Sequence, residues 1–83
     1  MIDITEMFKQ AALEVDNRKL PDLKADTLIS SLGMDSVAVM ETVSYFEEKL
    51  SIRIPDEDLS RIRTVRDLRD TIAKLKPDEQ ISA

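Results

Sequence analysis

Apolar residues in this 83-residue chain recur at intervals of three and four along three separate stretches. That period confines the chain to helices, each of which must hide its apolar stripe against the others. Ile4, Met7, Phe8, Ala11, Ala12 and Val15 mark the first helix, expected from Ile4 to Asp16, with Asp3 and Glu6 spaced as a capping box at its start. Val39, Val43, Phe46 and Leu50 form the stripe of a second, which begins after Gly33. Val65, Leu68, Ile72 and Leu75 form that of the last, with Thr64 as N-cap and Asp67 three residues on. Pro55 breaks the chain between them, and Asp56-Glu57-Asp58-Leu59 sets acidic residues at the start of a short helical turn, where the helix dipole favours them. Ser51-Ile52-Arg53-Ile54 alternates for four residues, but a lone strand has no partner.

With one glycine and three prolines, the chain has few places to turn tightly. Residues 17–34 hold no sustained period, and a loop this long in a compact domain is usually functional or disordered. Its aliphatics, Leu20, Leu23, Leu28, Ile29 and Leu32, favour a loop packed down on the core. The expected fold is therefore all-α: a small four-helix bundle of three main helices and one short one, with a long first loop. It occupies residues 1–76 as one domain, and residues 77–83 are expected to be a flexible polar tail.

Composition removes several functions. There is no cysteine and no histidine, so the chain offers no thiolate nucleophile, no Cys-ligated zinc, and neither the commonest general base nor the commonest metal ligand. A net charge of −5 argues against binding a phosphate backbone, so no nucleic-acid partner is expected. No apolar run exceeds four residues, far short of the roughly 20 that span a bilayer, and the start lacks a secretion signal. The expected setting is the cytoplasm, without membrane contact, and the expected state is a monomer. Asp56, Glu57 and Asp58 are consecutive and splay around their helix, which suits capping better than a catalytic pair or a magnesium site.

The candidate site is Leu32-Gly33-Met34-Asp35-Ser36-Val37, where the long loop meets the second helix. A serine at that position can cap the helix, with Asp35 adding a favourable charge. The same place also suits a phosphodiester on the hydroxyl, because free N–H groups and the positive dipole end stabilise phosphate.

The order Leu-Gly-x-Asp-Ser-Val, a helix carrying Glu47-Glu48 near its end, Ile52-x-Ile54-Pro55, an acidic turn and Thr64-Val65-x-Asp67-Leu68 resembles the acyl carrier proteins over roughly Ile4 to Leu75. The resemblance implies a non-catalytic carrier whose Ser36 receives a 4′-phosphopantetheine arm from coenzyme A through a separate phosphopantetheinyl transferase. It further implies acyl groups held as thioesters and passed among an acyl-loading enzyme, a ketosynthase and other pathway enzymes. By the same likeness Asp35 helps present Ser36, and Gly33 lets the backbone turn into the helix. Val37, Met40, Glu41, Ser44, Glu47 and Glu48 become the surface partners read. Val39, Val43, Phe46, Ile54, Leu59, Ile62 and Val65 become the lining of an acyl-chain channel.

Two departures from the family pattern bear on the pathway. Ser36-Val37-Ala38-Val39 lacks the acid often found two places after the serine, and Arg61, Arg63, Arg66 and Arg69 add positive charge around the third and fourth helices. These arginines either pair with Asp58, Asp67 and Asp70 or repel the basic docking patches typical of fatty-acid synthase enzymes, which points to a specialised acyl pathway such as polyketide synthesis. A peptidyl or aryl carrier is the nearest alternative, although Met34-Asp35 departs from the Gly-His or Gly-Gly frequent there. A helix-turn-helix regulator needs a basic second helix, and here that helix offers only Lys49. A cofactor-free helical interaction module is the remaining alternative.

Overall fold

A computed structural model describes all residues, Met1–Ala83. The first element is β1 (Ile2–Asp3), which runs directly into α1 (Ile4–Asp16). Asp3 caps α1 by accepting from the amides of Thr5 at 3.0 Å and Glu6 at 3.4 Å and from the Thr5 hydroxyl. The reciprocal half of the expected capping box, Glu6 reaching back to Asp3, does not form. The Thr5 hydroxyl and these amides hold the Asp3 carboxyl below its ordinary range. Ile4, Phe8, Ala11 and Ala12 are buried, and Asn17 ends the helix in the left-handed conformation.

The long loop packs down as its aliphatics suggest, with one exception. Leu20 and Ile29 are buried, Leu23 and Leu32 rest against the core, and Leu28 stays half exposed. Part of the loop, Ile29–Leu32, coils into a 3₁₀ turn. The stretch before it is laced to the start of the last helix by backbone hydrogen bonds: Arg66 N–H to Ala25, Val65 N–H to Thr27, and Ile29 N–H to Arg63. These bonds satisfy polar groups that a loop this close to the core would otherwise leave unpaired.

Helix α2 (Ser36–Leu50) packs mainly on α1. The Phe8 and Phe46 rings meet with centroids 6.2 Å apart at a tilt of 44°. The buried face of α2 is Ala38, Thr42, Phe46 and Leu50, so the expected stripe is rotated: Phe46 and Leu50 stay in the core while Val39 and Val43 are only half-buried. A threonine can hold a core position here because its hydroxyl donates back to the Ala38 carbonyl at 2.9 Å. No backbone partner makes a strand of residues 51–54; the chain goes on to α3 (Asp56–Leu59) and α4 (Val65–Leu75). In α4 both halves of the Thr64–Asp67 capping box form, and Val65, Leu68 and Ile72 are buried, with Leu75 at the margin.

Residues 77–83 depart from a tail without structure. They carry β2 (Ile81–Ser82), which pairs in parallel with β1, placing Ile2 beside Ile81 and Asp3 beside Ser82. Ile2 and Ile81 both pack against the core, so an apolar residue at each end supplies the contact that periodicity could not reveal. No helix is long and apolar enough to cross a membrane.

Amides of Arg63 and Thr64 donate to the Asp67 carboxylate at 3.0 and 3.1 Å and hold its pKa below the ordinary 3.8. The contribution of that carboxylate is complete above pH 3.8 and fades as pH falls through the lowered folded value. Asp67→Asn should therefore cost about 1 kcal/mol in urea unfolding at neutral pH, with the gap to the native chain closing below pH 3.8; a gap that stays constant through acid titration would contradict this origin. Gly33 adopts φ 76°, although a Cβ there would meet Arg18 only at ordinary contact, 3.4 Å. The penalty for substitution is thus conformational. Thermal unfolding should rank the native chain above Gly33→Asn, and Gly33→Asn above Gly33→Ala, the last costing about 1 kcal/mol.

Candidate functional site

Three consecutive residues set the site. Gly33 turns the chain out of the 3₁₀ turn, Met34 is buried and anchors that turn in the core, and Asp35 begins α2. The cap of α2 is Asp35, whose Oδ1 accepts from the Ala38 amide at 2.8 Å. The capping role open to Ser36 thus falls to its neighbour, since aspartate and serine cap about equally well and the sequence alone does not rank them. Ser36 is the first helical residue, exposed, with no hydrogen-bond partner for its hydroxyl. The amides of Ser36 and Val37 also lie beyond the reach of the intrahelical ladder, at the positive end of a 15-residue helix.

Ser36 stands at one end of a half-open cavity of about 640 Å³. One wall is the face of α2 that carries Ser36, Val39, Met40, Val43, Ser44 and Glu47. From Ser36 to Glu47 this wall runs about 16 Å, at roughly 1.5 Å per residue. The rest of the apolar lining comes from Leu28 and Ile29 of the loop, Ile54, Leu59 and Ile62, and the buried Phe8 and Leu68. Five of the seven expected channel residues, Val39, Val43, Ile54, Leu59 and Ile62, therefore line one cavity. Phe46 and Val65 do not: both are fully buried in the core behind it. The lining also includes Leu28, Ile29 and Met34, which the sequence placed in a loop without a period to orient them.

The expected partner surface divides in a similar way. Val37 and Met40 are 64% and 62% exposed, large for apolar side chains, and Glu41, Ser44 and Glu48 are exposed beside them. Glu47 is engaged internally: its carboxylate accepts from the Ile54 amide at 2.7 Å and ties the chain leaving α2 back onto that helix. Tyr45 is half-buried, edge-on to Phe46, with the Lys49 ammonium over its ring.

The arginine pairings open in the sequence are mostly absent. Arg69 Nε lies 2.9 Å from Asp70, an ion pair whose N–H is not aligned as a hydrogen bond. Asp58 meets Lys74 at 3.4 Å, and Asp67 is taken up by backbone amides. Arg61, Arg63 and Arg66 are exposed and form no ion pair, although the charge of Arg63 contributes to lowering the pKa of Asp67.

Comparison with known proteins agrees with this arrangement. The family described as the phosphopantetheine attachment site matches residues 6–72. An acyl carrier protein of Syntrophobacter fumaroxidans is 47% identical over 49 residues, which cover 59% of this chain and 60% of that protein. An anthracycline acyl carrier protein of Streptomyces sp. (strain C5) is 38% identical over 66 residues, 77% of this chain and 75% of that one. Among solved structures, the acyl carrier protein of Thermotoga maritima superposes with a TM-score of 0.80 at 33% identity, covering 88% of this chain and 86% of its own. The 5-phenyl-3-oxo-pentyl actinorhodin acyl carrier protein of Streptomyces coelicolor superposes with a TM-score of 0.72 at 29% identity, covering 89% and 91%. With the family matched across most of its length and the same helical bundle in both structures, the chain belongs to the acyl carrier proteins, the non-catalytic carriers that bear phosphopantetheine.

Proposed function

We propose that Ser36 Oγ is the atom that takes the phosphopantetheine arm, and that the cavity beside it receives the acyl chain the arm carries. The observation that carries this reading is the unpartnered, exposed Ser36 hydroxyl at the end of an apolar cavity, with capping delegated to Asp35. The residues fit the group: two free amides and the positive end of α2 face a phosphodiester on that hydroxyl, as the chemistry requires. In the transfer Ser36 Oγ forms the new P–O bond, the pyrophosphate linkage of coenzyme A breaks, the nucleotide bisphosphate leaves, and the hydroxyl proton passes to a base on the transferase. Once attached, the arm supplies a thiol for thioesters. Asp35 holds Ser36 at the helix start and offers a carboxylate to the transferase, while Val37, Met40, Glu41, Ser44 and Glu48 form the face that enzymes approach.

In this reading the chain, with β2 included in the folded unit, acts as a monomeric carrier domain in the cytoplasm, visiting a phosphopantetheinyl transferase, an acyl-loading enzyme and a ketosynthase. The thinned acidic face of α2 and the arginines that form no ion pair favour a specialised pathway over housekeeping fatty-acid synthesis, in keeping with the likeness to the anthracycline carrier.

Incubation with coenzyme A, magnesium and a promiscuous transferase should raise the mass by one phosphopantetheinyl group, and Ser36→Ala should remove the shift entirely. A folded native chain of unchanged mass would overturn the assignment. Generic fatty-acid synthase enzymes should elongate the loaded carrier at least about tenfold more slowly than their own, a difference of roughly 1.4 kcal/mol; equal rates would count against a specialised pathway.

A further inference from the structure

Five large apolar side chains stand at least half exposed: Met1, Leu13, Leu28, Val37 and Met40. A single exposed leucine is ordinary, but three of these five gather at one place. Val37 follows Ser36 in the chain, and Leu28 and Met40 line the cavity that Ser36 also lines. Leu28 is 51% exposed and Met40 62%, so both mark where that cavity opens to solvent. Leu13 belongs elsewhere, to a separate groove with Lys19, Leu20 and Asp22.

Leu28 is held in place by its backbone. It pairs with Thr64 as an isolated antiparallel bridge, between the bonds from Val65 N–H to Thr27 and from Ile29 N–H to Arg63. Its carbonyl accepts from the Ser31 amide at 3.0 Å and the Ser31 hydroxyl at 2.6 Å. Successive side chains of an extended stretch point to opposite faces, so the burial of Ile29 turns Leu28 outward. That accounts for the direction of the side chain but not for its chemistry, since a polar residue would serve the bridge equally and expose no apolar surface. An apolar group presented on a fixed backbone has little freedom left to lose when a partner covers it, and such contacts contribute most to binding.

The charges of the cavity lining cancel, Glu47 and Asp56 against Arg53 and Arg63, which leaves apolar area as the feature that distinguishes this opening. We infer that Leu28, Val37 and Met40 form one apolar anchor that the phosphopantetheinyl transferase covers, with Leu28 the loop's contribution to a surface otherwise built on α2. The inference rests on the reading of Ser36 as the attachment site. Chemistry singles out the transferase as the occupant. The new P–O bond forms on Ser36 Oγ itself, so the transferase must close around that oxygen, whereas enzymes acting on a thioester meet it at the far end of the arm.

Steady-state kinetics on the arm-free chain test it, with a promiscuous transferase, magnesium and saturating coenzyme A. Leu28→Gln and Met40→Gln should each raise the KM for the carrier about fivefold with kcat little moved, while Leu28→Met should stay near the native value. Leu13→Gln, which removes similarly exposed apolar surface outside the patch, should match the native chain. All these positions are exposed, and thermal unfolding coincident with the native chain verifies that each variant is folded. No acyl chain is present in this assay, so a Leu28 that serves only to cover cargo would leave KM at the native value, and that result overturns the inference. An equal loss in Leu13→Gln overturns it as well, by showing a response to exposed apolar surface anywhere on the chain. Failure of the attachment reading is separate: the native chain itself would then gain no arm.

Discussion

The shape of the cavity beside Ser36 depends on the lacing of the long loop to the start of α4. Arg66 to Ala25, Val65 to Thr27 and Ile29 to Arg63 are backbone bonds, so they hold whatever side chains the loop carries. They hold Leu28 and Ile29 in the lining of the cavity that Val39 and Val43 also line. They also fix the origin of the turn that delivers Gly33, Met34 and Asp35 to α2. Without them α1, α2 and α4 could still bury their stripes, but the space beside Ser36 would lose the part of its lining that the loop supplies.

The same economy governs the charges. Several acids are used by the fold before any partner arrives: Asp3, Asp35 and Asp67 cap helices, and Glu47 holds the Ile54 amide. Charge-assisted bonds to backbone amides are stronger than exposed ion pairs, so the oxygens that make them are committed, while Asp35 keeps its second oxygen free. A carboxylate so held keeps its negative charge but loses the freedom to swing onto a guanidinium, so Asp67 and Arg63 act on each other through space without forming an ion pair.

The sequence was most legible where one local rule decided the outcome. Ile4–Asp16 and the Thr64–Asp67 box follow from periodicity and capping chemistry, and α3 from Pro55 with its acidic turn. It was least legible where a rule was tied or absent. Asp35 and Ser36 both qualify as caps, and only the geometry awards the role to Asp35. Thr42 looked polar, yet bonding to its own helix admits it to the core and turns Val39 and Val43 outward to the cavity. Phe46 and Val65 are channel residues only by family likeness, and the depth within a helical stripe that sends both into the core is a tertiary property. The pairing of β1 with β2 joins opposite ends of the chain and leaves no local mark.

The division of labour between Asp35 and Ser36 has a thermodynamic corollary. Because the helix start is secured by a neighbouring side chain, derivatising the serine oxygen removes no bond that the native state relies on. Any difference in folding free energy between the bare and derivatised proteins must then come from what the added group gains in the native state, at the free amides of α2 and in the cavity, and not from a bond the attachment breaks. The architecture gives up nothing to take its load, and whatever the load gains from the native state is returned as stability.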